Sequence, residues 1–460
     1  MLREEHLVSR RTWEWLILAL ILIPFMLVHL FFAVDRDSGA FLTIAQGLLD
    51  GRLPYRDFFD HKPPGIYYTL AIPLALSRGS IWAAKGFLLM ISACTLWFIA
   101  QVLRALEADG RTIWWGVAFG ALGWVVYQGY TLVTETLVAL VVTGTLSLII
   151  SERPKVFGLA GFLIGVAVLF KQPAVLFLLP MLVHSILNRS IQAFWETTAG
   201  FTVALLIGGL LLLASGNGIS AYEQIILANL RTPLTGDLRE TIKGNFQRFL
   251  EGAPLWTAAG LSLIGQFRNR KIFFLVAALL MAWFPALLHP TPHYLIPAVP
   301  IGAILAALGI RRVEQHLPDQ LAAAPILLTL FPLWVNLLFP TLAAFSHMTL
   351  LQQIQVGRVL ESLSNPDEPI LVLAAEPQYY FFAHRYPPGK DLYLLAVNYT
   401  EDKEAQMIDY LKSGQVSIVA IVGTPPTSFY APQIRTYVET HCTIIASFPS
   451  PEINIWGNCR

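Results

Sequence analysis

Apolar residues in this chain come in long blocks, separated by short polar connections, as far as about residue 341. The blocks run over 13–34, 80–103, 112–129, 133–150, 156–170, 174–188, 198–214, 254–266, 271–288, 294–310 and 321–341. Several approach or exceed the ~20 apolar residues that a helix needs to cross a bilayer. About eleven transmembrane helices are therefore predicted, although 156–170 and 254–266 are short for a full crossing. The first block is longer than the ~7–15-residue core of a signal peptide, and no small-x-small cleavage site follows it. It reads as a retained helix. "GIYYTLAIPLALS" (65–77) is apolar but too short to span, and is expected to lie along the membrane surface.

Beyond about residue 345 the pattern changes. "EPILVLAAEPQYYFF", "VSIVAIVG", "CTIIASF" and "INIW" are short β-branched runs, and "KEAQMIDYLKSG" between them has helical character ending at Gly414. The expected architecture is a polytopic α-helical membrane part over residues 1–345, with an outer loop 35–79 carrying surface helices, and a small α/β domain over 346–460.

Composition supports this division. The 460 residues are 55% hydrophobic and 13% charged, against about 25% charged in ordinary soluble domains. A net charge of +1 provides no global field toward nucleic acid, and no nucleic-acid partner is expected. Charge does set an orientation. With the N-terminus cytoplasmic, one side collects Arg3, Arg10, Arg11, Arg104, Arg111, Arg153, Lys155, Arg189, Arg268, Arg270, Lys271, Arg311 and Arg312, whereas the short turns opposite hold little beyond Lys171 and His293. Positive charge stays inside, so the reading is a multi-pass protein of the cell (inner or plasma) membrane with an extracytoplasmic C-terminal domain. Three cysteines are present: Cys94 in an apolar run, and Cys442 and Cys459 flanking the last two predicted strands. The latter pair either forms a disulfide in an oxidising compartment or remains as two thiols.

In this orientation the unusual polar residues gather outside. Asp35 and Asp37 follow the first block, and "GAFLTIAQGLLDG" after them has an apolar helical face. "PYRDFFDHKPPG" adds Arg56, Asp57, Asp60, His61 and Lys62, closed by two prolines that stiffen the turn. Glu135 ends one outward turn, Lys171 sits in "LFKQPAVLF", and His293 and Tyr294 follow "HPTP". Arg231 lies in "NLRTPLTGDLRETIKGNFQRF", part of a segment (215–253) long enough to act as a lid or docking surface. Each has a plain reading as well: the acids as hydrated loop groups, the lysines as snorkelling to headgroups, Tyr294 as an interface aromatic.

The stretch "D-x-G-x-F…A-x-x-L-L-x-G-x-x-P-Y-R-D-x-x-D-H-K-P-P", from Asp37 to Pro64, resembles the polytopic glycosyltransferases of family 39 and their relatives. That group includes protein O-mannosyltransferases and lipid A aminoarabinose transferases, and "HYLIPAVP" (293–300) looks like its later motif at an outer helix start. The resemblance covers about residues 1–345. It implies a GT-C fold and an inverting transfer of a sugar from a polyprenyl-phosphate carrier to a lipid, glycan or protein acceptor outside the membrane. The family's catalytic acid maps best onto Asp37. Many members have Asp-Glu there, whereas this chain has Asp37-Ser38, which leaves Asp35 as a rival and a divalent metal as an open expectation.

The chemistry agrees independently. An acceptor hydroxyl needs one base, and a phosphate leaving group needs cations or donors rather than a protonating acid. Lys62, His61, Arg56, Lys171, Arg231 and His293 are the candidate substrate-binding cations; Glu135 is either a substrate hydrogen-bond acceptor or a partner to one of these basic groups, with Tyr294 beside them. The competing classes are a polyprenyl-glycan flippase and a non-catalytic membrane scaffold. A transporter places its binding groups near the bilayer midplane, often on internal repeats. Here the groups sit at helix ends and no repeat is evident.

Overall fold

The structure is a computed structural model that describes residues 19–460, except 153–155, 232–237, 265–268, 319–323, 347–349, 374, 396, 424–431, 450–451 and 460. Arg3, Arg10, Arg11, Arg153, Lys155 and Arg268 of the charge pattern, and the start of the first block, lie outside the described residues. Each of the eleven apolar blocks carries a helix. Among the described residues three helices are individually long and apolar enough to cross a membrane: Ile81–Ala105, Ile191–Ala214 and Arg270–Leu288. Others are shorter, such as Thr134–Ile150 and Phe157–Phe170.

The chain divides into two compact units. The first comprises Met1–Leu30, Lys85–Ile207 and Leu234–Leu342. Its helices are apolar on most sides, so glycine and alanine, rather than amphipathic stripes, set how closely they approach. Phe157–Phe170 presents Gly158, Gly161 and Gly165, and these meet Thr197, Gly200 and Ala204 of Ile191–Ala214 at near-backbone contact. Small residues at matched positions allow helices to pack where hydrophobicity provides no drive. Asp109 starts Gly110–Val126 by accepting from the Thr112 amide at 2.8 Å, which satisfies one orphan donor of the first turn. Lys171 breaks the chain: it is extended (φ −153°, ψ 126°) between Phe157–Phe170 and the 3-10 turn Gln172–Phe177, which Pro173 opens.

The second unit comprises Phe31–Ala84, Gly208–Pro233 and Ala343–Arg460. The stretch following Asp35 folds as the helix Arg36–Leu49, with Phe41, Leu42, Ile44 and Ala45 buried. Gly51 (φ 81°) turns the chain just beyond it. This helix packs on Gly65–Ser77, the helix expected from "GIYYTLAIPLALS", and on Gln378–Ala383. Gly39 is required there, because a Cβ would strike the backbone of Gln378. The side-chain amide of Gln353 joins the same unit, accepting from the Val34 amide at 2.7 Å and donating to its carbonyl at 2.8 Å.

All four predicted strands form one sheet: β1 (Leu371–Leu373), β2 (Val419–Val422), β3 (Thr443–Pro449) and β4 (Glu452–Gly457), in the order β1-β2-β4-β3. β1 and β2 are parallel, with Leu371 opposite Val419; the remaining pairings are antiparallel. Parallel neighbours need a crossover, and the intervening segment includes Gln378–Ala383 and Glu401–Lys412. Met407, Leu411, Ile434 and Val438 bury the helical side of the core. Glu404, fully buried, accepts from the amides of Gln433 and Ile434 at 2.7 and 3.1 Å and so anchors Pro432–His441 at its N-terminus. Cys442 and Cys459 form a disulfide across the β3–β4 hairpin. Cys94 is free and exposed.

Candidate functional site

In the second unit, the two acids after the first block start one helix and serve different neighbours. Asp35 is the N-cap of Arg36–Leu49 and accepts from the Ser38 hydroxyl. Its charge bears on the buried carboxyl of Glu376, which burial raises above the usual range. Asp37 stands in the first turn, where the helix dipole favours a carboxylate. It is half-buried and paired at 3.2 Å with the exposed Arg36 guanidinium. Its charge bears instead on Asp60 and on the buried Tyr393.

Asp60 is the centre of this region. It is 2% exposed. Loss of water raises its carboxyl from 3.8 to about 6, opposed by the Lys62 charge and amide and reinforced by Asp37. One carboxyl oxygen accepts from the Lys62 amide at 3.0 Å and lies 3.7 Å from His61 Nδ1. The Lys62 ammonium donates to His61 Nε2 at 2.9 Å. With Nε2 accepting, the imidazole proton belongs on Nδ1, the atom facing Asp60. Lys62 is thus hydrogen-bonded to His61, whose other ring nitrogen faces Asp60 across 3.7 Å, a charge contact rather than a hydrogen bond. The loop that holds them is fixed at both ends: Tyr55 OH donates to the Lys62 carbonyl at 2.7 Å, and Asn229 Nδ2 donates to the His61 carbonyl at 2.9 Å. Gln224 accepts from the Asp60 amide at 3.1 Å and donates to the Tyr55 carbonyl at 2.7 Å.

In the first unit, Glu135, Lys171, His293 and Tyr294 converge. Glu135 sits in the first turn of Thr134–Ile150, accepts from the Lys171 ammonium, and accepts from Thr134 Oγ1 at 2.8 Å. His293 Nε2 lies 3.7 Å from the same carboxylate. The Lys171 ammonium stands 3.5 Å from the centroid of the Tyr294 ring, near enough for a cation–π attraction. Glu135, Lys171 and Tyr294 border a small pocket whose other walls are apolar, including Val138, Ala174, Phe177, Met281 and Pro285. Lys171 and Glu135 are both buried. A buried pair gains little over a hydrophobic replacement, whereas removing one partner leaves a stranded charge.

The remaining sequence candidates, Arg56 and Arg231, both belong to the second unit. Arg56 is exposed and forks onto its neighbour Asp57, with Nη2 at 2.7 Å. Arg231 ends the short helix Ala228–Arg231, exposed. Among the described residues no three His, Cys, Asp or Glu side chains are grouped to hold a metal ion. Sequence reasoning missed Asp60 as an organising group, together with Gln224, Asn229 and Tyr393. Asp60 lies inside the motif, but a carboxylate before His-Lys reads as a hydrated loop acid. Its burial depends on residues more than 150 positions away.

The fold has solved counterparts. ArnT from Cupriavidus metallidurans bound to undecaprenyl phosphate superposes with a TM-score of 0.66 at 15% identity, over 97% of this chain and 98% of that one. The same protein in the apo state gives 0.63 at 15% identity, over 98% of each chain. The Archaeoglobus fulgidus oligosaccharyltransferase, tethered to an acceptor peptide containing the NVT sequon, gives 0.57 at 11% identity, over 97% of this chain and 74% of that one. The fold is GT-C. No family model and no curated protein sequence matches the chain; at 11–15% identity the likeness shows the fold alone. The GT-C architecture implied by the motif between Asp37 and Pro64 is thus the architecture observed, a helical membrane fold with a small sheet in its C-terminal part.

Proposed function

We propose that this chain is an inverting glycosyltransferase that moves a sugar from a polyprenyl-phosphate carrier to a lipid, glycan or protein hydroxyl on the outer face of the membrane. The observation that carries the reading is the Asp37, Asp60, His61, Lys62 group on a GT-C fold. It combines a carboxylate at a helix N-terminus with an ammonium hydrogen-bonded to an imidazole that faces a buried acid. Asp37 is the base. It accepts the acceptor hydroxyl's proton as that oxygen bonds to C1, while the bond from C1 to the phosphate oxygen breaks and its electron pair leaves with the phosphate. Lys62 holds that phosphate as a point charge, and His61 with Asp60 orients Lys62. Asp35, engaged by Ser38 and facing Glu376, supports the helix start. Glu135, Lys171 and Tyr294 bind substrate at the apolar pocket they border, with His293 beside them. Arg56 and Arg231 remain candidate contacts for the acceptor.

In this reading the chain crosses the membrane about eleven times over residues 1–345, with residues 346–460 as an extracytoplasmic domain. The undecaprenyl phosphate bound to ArnT and the acceptor peptide tethered to the oligosaccharyltransferase are the kinds of partner such a site takes.

Reconstitution in lipid nanodiscs with radiolabelled polyprenyl-phosphate sugars and membrane-glycan acceptors tests this. Asp37→Asn is expected to lower turnover by about 10²–10⁴-fold, the usual contribution of a positioned base, with an unchanged melting temperature. Asp35→Asn is expected to lose less. Wild-type protein that moves labelled carrier between leaflets without forming a new glycosidic bond, or an Asp37→Asn variant with full turnover, would overturn the assignment.

A further inference from the structure

Within the first unit the helix Leu238–Glu251 has a surface unlike the apolar helices around it. Placed at 100° per residue, its side chains fall into three sectors. Thr241, Gly244, Asn245 and Arg248 form one, and this is the side packed on protein: Asn245 Nδ2 donates to the Leu287 carbonyl at 3.1 Å, Gly244 abuts Pro290, and Tyr127 OH donates to the Arg248 carbonyl at 2.7 Å. Glu240, Gln247 and Glu251 form the second, a polar sector. Leu238, Ile242, Phe246, Phe249 and Leu250 form the third, and all are exposed, Ile242 to 61% and Phe246 to 62%.

A water-facing helix has no reason to expose five large apolar side chains on one side, and a spanning helix has no reason to carry a polar sector. The three sectors match the three media that meet at the rim of a membrane protein: protein, bilayer and water. The neighbour sets the depth. The packed sector sits on the C-terminal end of Arg270–Leu288 and the turn after it, and that helix is long and apolar enough to cross the membrane. Charge fits as well: Arg239 falls inside the apolar sector, between Phe246 and Leu250, and Lys243 borders it, and from both positions a long basic side chain reaches headgroup phosphates while its stem lies on apolar surface.

We infer that Leu238–Glu251 is an interfacial anchor whose apolar sector lies in the boundary between headgroups and acyl chains of the bilayer, with Arg239 and Lys243 on anionic headgroups. This surface is independent of the glycosyl-transfer reading: it makes no use of the reacting groups, and either inference stands if the other fails.

Nitroxide labelling of the full-length protein tests it. In a Cys94→Ser background, Phe246→Cys and Gln247→Cys are labelled separately and reconstituted in nanodiscs containing phosphatidylglycerol. The accessibility of each label to oxygen and to a water-soluble nickel chelate is then measured. At position 246 oxygen is expected to relax the label several-fold more than the chelate, at a depth of about 5–10 Å, while position 247 shows the reverse. Equal chelate access at both positions would place the sector in water and overturn the inference. Low access of both reagents at 246 would place it against another protein surface and overturn it equally. Replacing phosphatidylglycerol with phosphatidylcholine is expected to make position 246 shallower in wild-type background, and to have little effect once Arg239→Gln and Lys243→Gln are added. An equal response with and without those substitutions would remove the headgroup contact from the assignment.

Discussion

A single buried carboxyl makes the sharpest statement about pH. Asp60 titrates at about 6 when folded against an ordinary 3.8. Between those values the folded chain keeps a proton that the unfolded chain has released, so this group makes stability fall as pH rises from about 4 to about 6. The full effect is on the order of 3 kcal/mol. Asp60→Asn is expected to remove that downward component, measured as melting temperature in detergent across pH 4–7; parallel curves for the two proteins would contradict it. In the first unit, Glu135→Gln leaves the buried Lys171 ammonium without its counter-charge and is expected to destabilise by about 3–5 kcal/mol. Lys171→Met with Glu135→Gln restores part of that loss by removing both charges, and chemical denaturation of all three variants reads the difference. Glu135, Lys171, His293 and Tyr294 were legible as unusual groups because ionisable residues are rare in apolar sequence. Glu135 was legible as a partner to one of the basic groups, but not to which one: it and Lys171 are 36 positions apart, on separate elements.

Helices and strands were the most readable level, since their signals are local. The helix Gly65–Ser77 matches its sequence stretch, and each of the four strands overlaps its β-branched run, whereas "QYYFF" at the end of the first run folds as the helix Gln378–Ala383. The sheet order was not legible, because β4 inserting between β2 and β3 depends on pairings that no local pattern encodes. Nor was the contact between Phe157–Phe170 and Ile191–Ala214. Glycine in an apolar block signals that something approaches closely, without saying what. At Gly161 a Cβ would enter the Thr197 carbonyl, whereas at Gly86 it would meet open space. Gly161→Leu is therefore expected to cost about 3 kcal/mol or more, the upper end for overpacking, because backbone cannot move aside as a side chain can. Gly86→Ala is expected to be neutral or to stabilise by about 0.5–1 kcal/mol through helix propensity. Unfolding in a mild detergent compares them directly, and equal effects would dismiss the close approach.

At the scale of the whole molecule, two independent properties bear on the orientation proposed above. The first is statistical: thirteen basic residues fall on the side that holds the N-terminus when the apolar blocks are counted as crossings. It was legible without coordinates, because insertion responds to loop charge rather than to tertiary packing. The second is chemical. Cys442 and Cys459, separated by 17 residues, are bonded in the structure, and such a bond persists where the compartment is oxidising rather than beside cytosolic thiols. The sequence left that pair open because two cysteines flanking a hairpin bond only if the strands pair in register. Here Thr443 lies opposite Gly457, which brings the flanking residues together. In the proposed arrangement an odd number of crossings with an inside N-terminus carries the tail outward, where such a bond is stable. The expected outcome is that, in intact cells, a membrane-impermeant reductant followed by a polymer-linked maleimide adds two adducts lost in Cys442→Ser with Cys459→Ser. Adducts that appear only after permeabilisation would put the tail in the cytosol and reverse the orientation. The bond also closes a loop whose entropy in the unfolded chain is worth about 3 kcal/mol, so reduction is expected to loosen β3 and β4 first, visible as faster amide exchange in that hairpin than in β1 and β2.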